Sequence, residues 1–469
     1  MPHRRSFAAS IFAIVAAFCA AAMPTPAQQA REGPPASVPP DTKAASTSPA
    51  RQVIEELVAG QYDKIEAQYD ARMAAALPPG QLAAVWPTLT QQVGAFQSIV
   101  DTKSSKVQGL ELTVLVCKFQ SALIDAHVSF NAEGKLAGLI FRPHQDAPEW
   151  KAPAYANPDS FAEEDVTVKN GKYELPGTLT TPKGAGPFPA AVLVHGSGPN
   201  DADETIGGNK PFKDLAWGLA SRGVAVLRYL KRTAKYGGQS SDDPAKLTVD
   251  DETMSDARAA VSLLASRSKA DKGRIFILGH SLGGYLAPRI AAGDADIAGI
   301  VILAGNTRPI EQLALDQVRY IAAASGAPTD EEQKQIAAVE ETAKKIESPD
   351  LKPGDKVPFL GGNSPGSYWL DLRGYHPVDT AAELKIPILI VQGGRDYQVT
   401  PANFEEWKKG LAGHSNATFK LFPDLNHLMI AGSGPSLPRE YNNPDHVAEG
   451  VVSLVAAWIS SGGRTAVRP

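Results

Sequence analysis

Hydrophobic positions along this chain keep three different rhythms. From Arg51 to Arg72, Val53, Ile54, Leu57, Val58, Ile65 and Tyr69 recur at helical spacing, and Gln81–Gln92 repeats the pattern more weakly, predicting two helices. Apolar and β-branched runs follow at Phe96–Thr102, Leu110–Phe119, Ala122–Phe130 and Lys135–Phe141, with Asn131-Ala132-Glu133-Gly134 as a hairpin turn, so residues 51–142 predict a small α+β domain. After a Pro-bearing connection, Pro143 through Pro158, the pattern changes class. Val192–His195, Val224–Tyr229, Ile275–Gly279, Ile297–Ala304 and Ile386–Gln392 are short and continuously apolar, as strands buried on both faces of a parallel sheet must be. Helical stretches at Phe212–Arg222, Asp251–Ser266 and Leu282–Ala292 supply crossovers between them. The expectation is an α/β fold with a mainly parallel sheet over residues 163–462.

One connection is far too long for this scheme. About 80 residues separate the strand ending near Asn306 from the one beginning near Ile386, where two to six would be usual. Arg308–Ser325 and Thr329–Glu347 have helical patterns and Tyr368–His376 is aromatic and charged, so residues 307–380 predict a helical cap over the sheet, preferred to a helical excursion on a side face.

The first 50 residues have another character. His3, Arg4 and Arg5 precede an apolar run from Phe7 to Ala22, broken only by Ser10 and followed by small residues and prolines to Ala27. This is the pattern of a secretory signal over residues 1–27, and the run is shorter than the roughly 20 residues of a bilayer-spanning helix. Phe18 stands before Cys19 where lipoprotein attachment would need a small residue. Residues 28–50 are rich in Pro, Ala, Ser and Thr and predict a flexible linker. The expected product is an exported protein, periplasmic or extracellular, with no membrane span after cleavage. Cleavage after Ala27 leaves 44 basic against 51 acidic side chains, a net charge of −7, and no basic block that would bind nucleic acid. It also leaves Cys117 alone, in an alternating apolar run where a buried small side chain is expected, so stability must come from packing without an internal disulfide.

The sharpest chemical signal is Gly279-His280-Ser281-Leu282-Gly283, set directly between a predicted strand and a predicted helix. Glycines two positions either side of a serine permit the tight turn that exposes its hydroxyl. Gly362-Asn363-Ser364-Pro365-Gly366 has the same spacing, but no strand is expected before it and Pro365 lacks the N–H that must follow a nucleophile to help bind an oxyanion. Ser281 is therefore the candidate nucleophile. A serine needs an imidazole, and the imidazole a carboxylate, both on loops after later strands. Asp396 follows the strand Ile386–Gln392, and His427 follows Thr418–Phe422. His446 lies in a helix-like stretch and Asp424 reads as a turn former, so Asp396 and His427 are preferred. The backbone N–H groups of Ser197, in His195-Gly196-Ser197-Gly198-Pro199, and of Leu282 are the candidate oxyanion donors. Asp201, Asp203 and Glu204 beside that loop read as solvated carboxylates rather than a metal site, and no Gly-x-Gly-x-x-Gly follows the first strand, so neither metal nor cofactor is expected.

Taken together, these residues resemble the α/β-hydrolase family, whose serine, acid and histidine follow one another in the order Ser281, Asp396, His427. His195–Pro199, Asn209–Ala216 and Leu227-Arg228-Tyr229 are similar to secreted bacterial esterases bearing an N-terminal DUF3887-type domain, which residues 51–142 resemble. Such relatives often carry Tyr-Asp-Lys-Arg where this chain has Tyr229-Leu230-Lys231-Arg232, so a carboxylate is missing from that loop. The resemblance implies a cofactor-independent serine hydrolase acting on a small-molecule ester. An exopeptidase or amidase on the same scaffold and an inactive exported binding protein are the rivals. The N-terminal domain shows no catalytic constellation and is expected to position the cap or mediate association, for which a homodimer is the candidate assembly.

Overall fold

The computed structural model describes residues 48–107, 110–144, 150–324, 326–359 and 362–464, so the signal segment and nearly all of the linker lie outside the described residues. The chain divides into two compact units between residues 146 and 147.

The first unit opens earlier and breaks more often than expected. Helix α1 (Pro49–Val58) begins inside the stretch read as linker, with Ser48 as its cap. The single helix expected to Arg72 is three, α1, α2 (Tyr62–Glu66) and α3 (Ala71–Ala76), because the chain turns at Gly60 with φ +69° and Asp70 caps a new start by accepting the Met73 N–H at 2.7 Å. Helix α4 (Leu82–Val93) leads into an antiparallel meander of β1 (Phe96–Val107), β2 (Leu110–Phe119), β3 (Leu123–Phe130) and β4 (Leu136–Pro143), paired in sequence order. One sheet face takes the helices: Val53, Ile54 and Leu57 are buried with Leu115, Cys117, Ala126 and Val128. Trp86 centres the cluster, its ring 5.6–6.2 Å from those of Phe96, Phe119 and Phe141. Cys117 is fully buried, and burial, with Asp125 nearby, pushes its thiol up to about 12.

The second unit is built on one eight-stranded sheet. An antiparallel pair that alternation did not reveal, β5 (Phe161–Asn170) and β6 (Tyr173–Pro182), forms one edge. The parallel strands are β7 (Phe188–Val194), β8 (Ala225–Tyr229), β9 (Ala270–His280) and β10 (Ile297–Leu303); a short hairpin, β11 (Lys356–Phe359) with β12 (Gly362–Pro365), precedes the last two, β13 (Ile388–Gly393) and β14 (Ala417–Phe422). Their order in space is β14-β13-β10-β9-β7-β8-β6-β5.

The helices of this unit are α5 (Pro211–Ala220), α6 (Arg232–Tyr236), α7 (Ser255–Ala265) and α8 (Leu282–Ala292), then α9 (Ile310–Ala324), α10 (Asp330–Glu347), α11 (Gly366–Leu372) and α12 (Pro377–Glu383) in the long insertion, and finally α13 (Pro401–Gly410) and α14 (Glu449–Ser460). Continuous apolar strands follow from helices on both faces. Val192, Ile277, Ile302 and Ile390 pack with residues of α7, α8 and α13, while their neighbours Leu193, Leu278, Leu303 and Val391 pack with α5 and α14. Each such side chain contributes about 1.5–3 kcal/mol by burial, so the sheet is held from both sides.

Two sequence expectations need correction here. The helix expected over Asp251–Ser266 begins as a π turn, Asp250–Met254, before α7. A strand does precede Gly362–Gly366, namely β11, and the first four residues of the segment are β12, with Ser364 pairing with Val357 across the hairpin. Within the Pro-bearing connection to Pro158, Trp150 packs edge-on to Trp217, centroids 5.0 Å apart, and donates its indole N–H to Asp214 at 2.8 Å. No helix among the described residues is long and apolar enough to cross a membrane.

Candidate active site

Parallel strands bring loops of distant sequence to one edge, and the loops after β7, β9, β13 and β14 converge at the carboxyl end of this sheet. Ser281 stands directly between β9 and α8 with φ 53° and ψ −118°. A non-glycine residue there costs about 1–3 kcal/mol and persists only where its surroundings force it. Here two glycines do so. A Cβ at Gly279 would lie 2.2 Å from the Gly283 carbonyl oxygen, and one at Gly283 would lie 2.1 Å from that of Val194. Backbone therefore packs on backbone around the turn, and no side chain fits at either position.

Asp396 and His427 meet directly. The Asp396 carboxylate accepts from the imidazole, Oδ2 to Nδ1 being 2.7 Å, and both side chains are almost wholly buried. The carboxylate is itself held: Oδ1 accepts the N–H groups of Gln398 and Val399 at 2.8 and 2.9 Å, and Oδ2 accepts from the Gln392 amide at 3.1 Å. Asn426 braces the histidine loop, its Oδ1 accepting from Leu428 and Ile430 N–H. The link to the serine turn runs through His280, whose Nε2 lies 2.9 Å from the His427 carbonyl oxygen.

The loop after β7 lies against the serine, and an ideal Cβ on Gly196 would sit 3.2 Å from Ser281 Cβ. Its peptide groups are individually engaged. The Gly196 N–H donates to Glu204 Oε1 at 2.6 Å, and the Gly196 carbonyl accepts from Lys231 Nζ at 2.8 Å and from the Asn200 amide at 3.1 Å. In a planar trans peptide the N–H points opposite the C=O. Lys231 and Asn200 thus fix the Gly196–Ser197 peptide and turn the Ser197 N–H the other way. Leu282 opens α8, where an N–H has no intrahelical acceptor and the helix dipole favours negative charge.

Sequence reasoning missed the supporting shell. Asp201, Asp203 and Glu204 are not solvated carboxylates. Glu204 is 1% exposed and Asp203 bonds Arg228 Nε at 2.8 Å and Lys210 Nζ at 2.9 Å, while Asp201 accepts from the Thr205 hydroxyl at 2.7 Å. Protein donors account for all three. Lys231, in the loop that lacks the relatives' carboxylate, is 2% exposed and reaches Glu252 at 3.1 Å as well as Gly196. His446 stands in a loop before α14, not in a helix, and its Nδ1 is 3.1 Å from Asp214; Asp424 is exposed. A side cavity of about 240 Å³ under the insertion, lined by Tyr285, Trp369 and Tyr375, includes none of the five candidate residues.

An imidazole oriented by a buried carboxylate, a serine forced onto a strained strand-to-helix turn and a glycine loop presenting a peptide N–H define a hydrolase architecture. The chain belongs to the α/β-hydrolase family, whose model matches residues 191–437, and a model of the DUF3887 family, described as a protein of unknown function, matches residues 50–139. It is 42% identical over 389 residues, 83% of this chain and 89% of the other, to esterase EstD of Thermotoga maritima. Among solved structures it is similar to Est1E from Butyrivibrio proteoclasticus, at 17% identity with 63% of this chain and 96% of that one covered and a TM-score of 0.40. An acylaminoacyl peptidase of Pyrococcus horikoshii matches at 14% identity, with coverages of 76% and 56% and a TM-score of 0.43.

Proposed function

We propose that this protein is an exported serine esterase that cleaves small carboxylic esters through an acyl-enzyme. The observation that carries the reading is the buried Asp396–His427 pair, set at the same sheet edge as the strained Ser281 turn. Asp396 holds the proton of His427 on Nδ1, which leaves Nε2 to take the hydroxyl proton of Ser281 as Oγ attacks the ester carbonyl. The Ser197 and Leu282 N–H groups receive the developing oxyanion. His427 returns the proton to the departing alkoxide as the acyl–oxygen bond breaks, and water, deprotonated the same way, releases the acid and restores Ser281. The 42% identity to a protein named an esterase supports ester over amide, and the basic and apolar segment from Arg4 to Ala22 supports export.

A fluorophosphonate probe tests the assignment. The expected result is one label per chain, lost in Ser281→Ala, with short-chain p-nitrophenyl esters turned over far faster than aminoacyl anilides. Equal labelling of Ser281→Ala, or the reverse substrate ranking, overturns it.

A further inference from the structure

Below the serine turn, a second histidine and a second carboxylate are buried with no part in the reaction scheme. Glu204 is 1% and His280 5% exposed, and Glu204 holds a positive φ of 51°, so the backbone is bent to deliver this side chain inward. His280 Nε2 faces the His427 carbonyl oxygen at 2.9 Å, and Nδ1 faces Glu204 Oε2 at 2.9 Å. The His427 carbonyl can only accept, so Nε2 carries a proton toward it. A second proton, on Nδ1, makes the ring a cation set against the Glu204 carboxylate. The Nδ1 approach lies off the N–H line, which makes it an ion pair rather than an aligned hydrogen bond. The other Glu204 oxygen takes the Gly196 N–H.

We infer that Glu204 and His280 form a buried carboxylate–imidazolium pair that positions three loops at once, the oxyanion loop at Gly196, the serine turn at His280 and the histidine loop at the His427 carbonyl. The inference rests on the triad reading above. Neither charge is stable there without the other, since a lone buried ion keeps its full desolvation penalty. Burial opposes the cation, yet the Glu204 carboxylate outweighs it and His280 is raised above its ordinary range; burial likewise opposes the Glu204 anion, yet His280 holds it low. The other groups facing the ring are Asp396, which favours its charge, the His427 ring at 4.7 Å, and His195, which burial keeps neutral. As pH rises through the His280 value the proton leaves, the Glu204 carboxylate meets a lone pair, and the loops lose their common anchor. The pair therefore sets an alkaline limb on kcat.

Two measurements on the full chain decide this. In a ¹⁵N-histidine NMR titration one ring keeps both protons to higher pH than an ordinary histidine, which titrates at about 6.5, and its signals vanish in His280→Gln; a wild-type titration in which no ring does so overturns the pair. With p-nitrophenyl acetate, Glu204→Gln lowers kcat on the order of 10²-fold through misplacement of reacting groups, leaves KM within about twofold, and shifts the alkaline limb to lower pH. Glu204→Asp recovers part of the rate. An unchanged kcat and limb in Glu204→Gln overturns the inference while Ser281-dependent turnover keeps the triad reading intact. Turnover surviving in Ser281→Ala removes that reading and leaves the spectrum to judge the pair. Should Glu204→Gln not fold, the wild-type spectrum decides alone.

Discussion

Gly196 carries three constraints: its N–H feeds Glu204, its carbonyl is pinned by Lys231, and its bare Cα faces Ser281. A methyl group there would stand 3.2 Å from both Ser281 Cβ and Glu204 Oε1, a spacing the loop can relieve only by moving its peptide. Gly196→Ala is expected to cut kcat about 10²-fold, the cost of one misaligned oxyanion donor, with an unchanged unfolding midpoint; a kcat near wild type would separate this loop from the oxyanion. Asp396→Asn should leave the fold intact and lower kcat by about 10⁴, because an amide that donates toward Nδ1 selects the wrong tautomer. His195 illustrates the opposite electrostatic outcome to His280. Burial dominates over Glu204 and lowers it to about 4, with its Nε2 placed 2.9 Å from the Asp201 carbonyl. Between its ordinary value near 6.5 and about 4 the unfolded chain binds a proton that the folded chain refuses, so this group costs up to about 1.4 kcal/mol of stability per pH unit as pH falls. Urea unfolding at several pH values across that window should show a shallower slope in His195→Gln than in wild type. Ser281, Asp396 and His427 could be picked out as candidates because each is announced by a strand end or a glycine spacing. Glu204, Lys231 and His280 were not, since their roles come from burial against partners that the fold brings together, as far apart as the 147 residues between His280 and His427.

At the level of elements, strand positions and the loops that follow them were readable wherever burial on two faces made a run continuously apolar, as in β7, β9, β10 and β13. The pair β5–β6 escaped notice because β5, after buried Phe161, runs through exposed Ala162, Glu163, Glu164 and Asp165, as an edge strand does, and so loses the apolar signature. The helix expected from Arg51 to Arg72 was overextended for a related reason: apolar spacing continues through Gly60, although the backbone does not. The insertion shows what periodicity alone leaves out. Helix α9 docks on the acid loop, with Gln317 Nε2 donating to the Gln398 carbonyl at 3.2 Å and the Tyr320 ring stacked on Tyr397, centroids 5.2 Å apart and planes 9° apart. Tyr397 and Leu428 adjoin Asp396 and His427 in sequence and share an apolar cluster with Ile430, Tyr441, Ile206 and Tyr320. This cluster couples the position of the insertion to the loops that carry the acid and the base. Tyr320→Ala gives up a stacked pair worth about 1 kcal/mol, and the expected consequence is a severalfold higher KM for p-nitrophenyl butyrate with kcat nearly unchanged. A fall in kcat with constant KM would show instead that the stack aligns Asp396.

For the whole molecule, the boundary that matters is set by side chains rather than by composition. All five candidate residues lie in the second unit, and each unit has a hydrophobic core of its own. A chain cut at residue 147 therefore keeps every group in the reaction scheme, and its Ser281-dependent kcat should stay within about twofold of the full protein, there being no lost term to lower transition-state binding. A cut near Ala162, just inside β5, is a different experiment. It removes Trp150, whose indole donates to the buried Asp214 and lies under Lys213 Nζ at 4.3 Å. It also removes Tyr155, whose carbonyl accepts from Arg222 at 3.1 Å and whose ring fills the space beside Gly218 on α5. Asp214 would keep His446 and the Val447 N–H but lose its third donor, while α5 would expose apolar surface now covered by two aromatic rings. The losses amount to about 2–4 kcal/mol by cavity and hydrogen-bond measures, which for a unit of this size lowers the thermal midpoint by roughly 3–6 °C. Differential scanning fluorimetry of the two truncated chains reads the difference directly. Equal midpoints would mean that the Trp150–Tyr155 arm adds nothing to the sheet it covers, and a large loss of kcat in the longer one would give the first unit a part in catalysis that no residue of its core supplies.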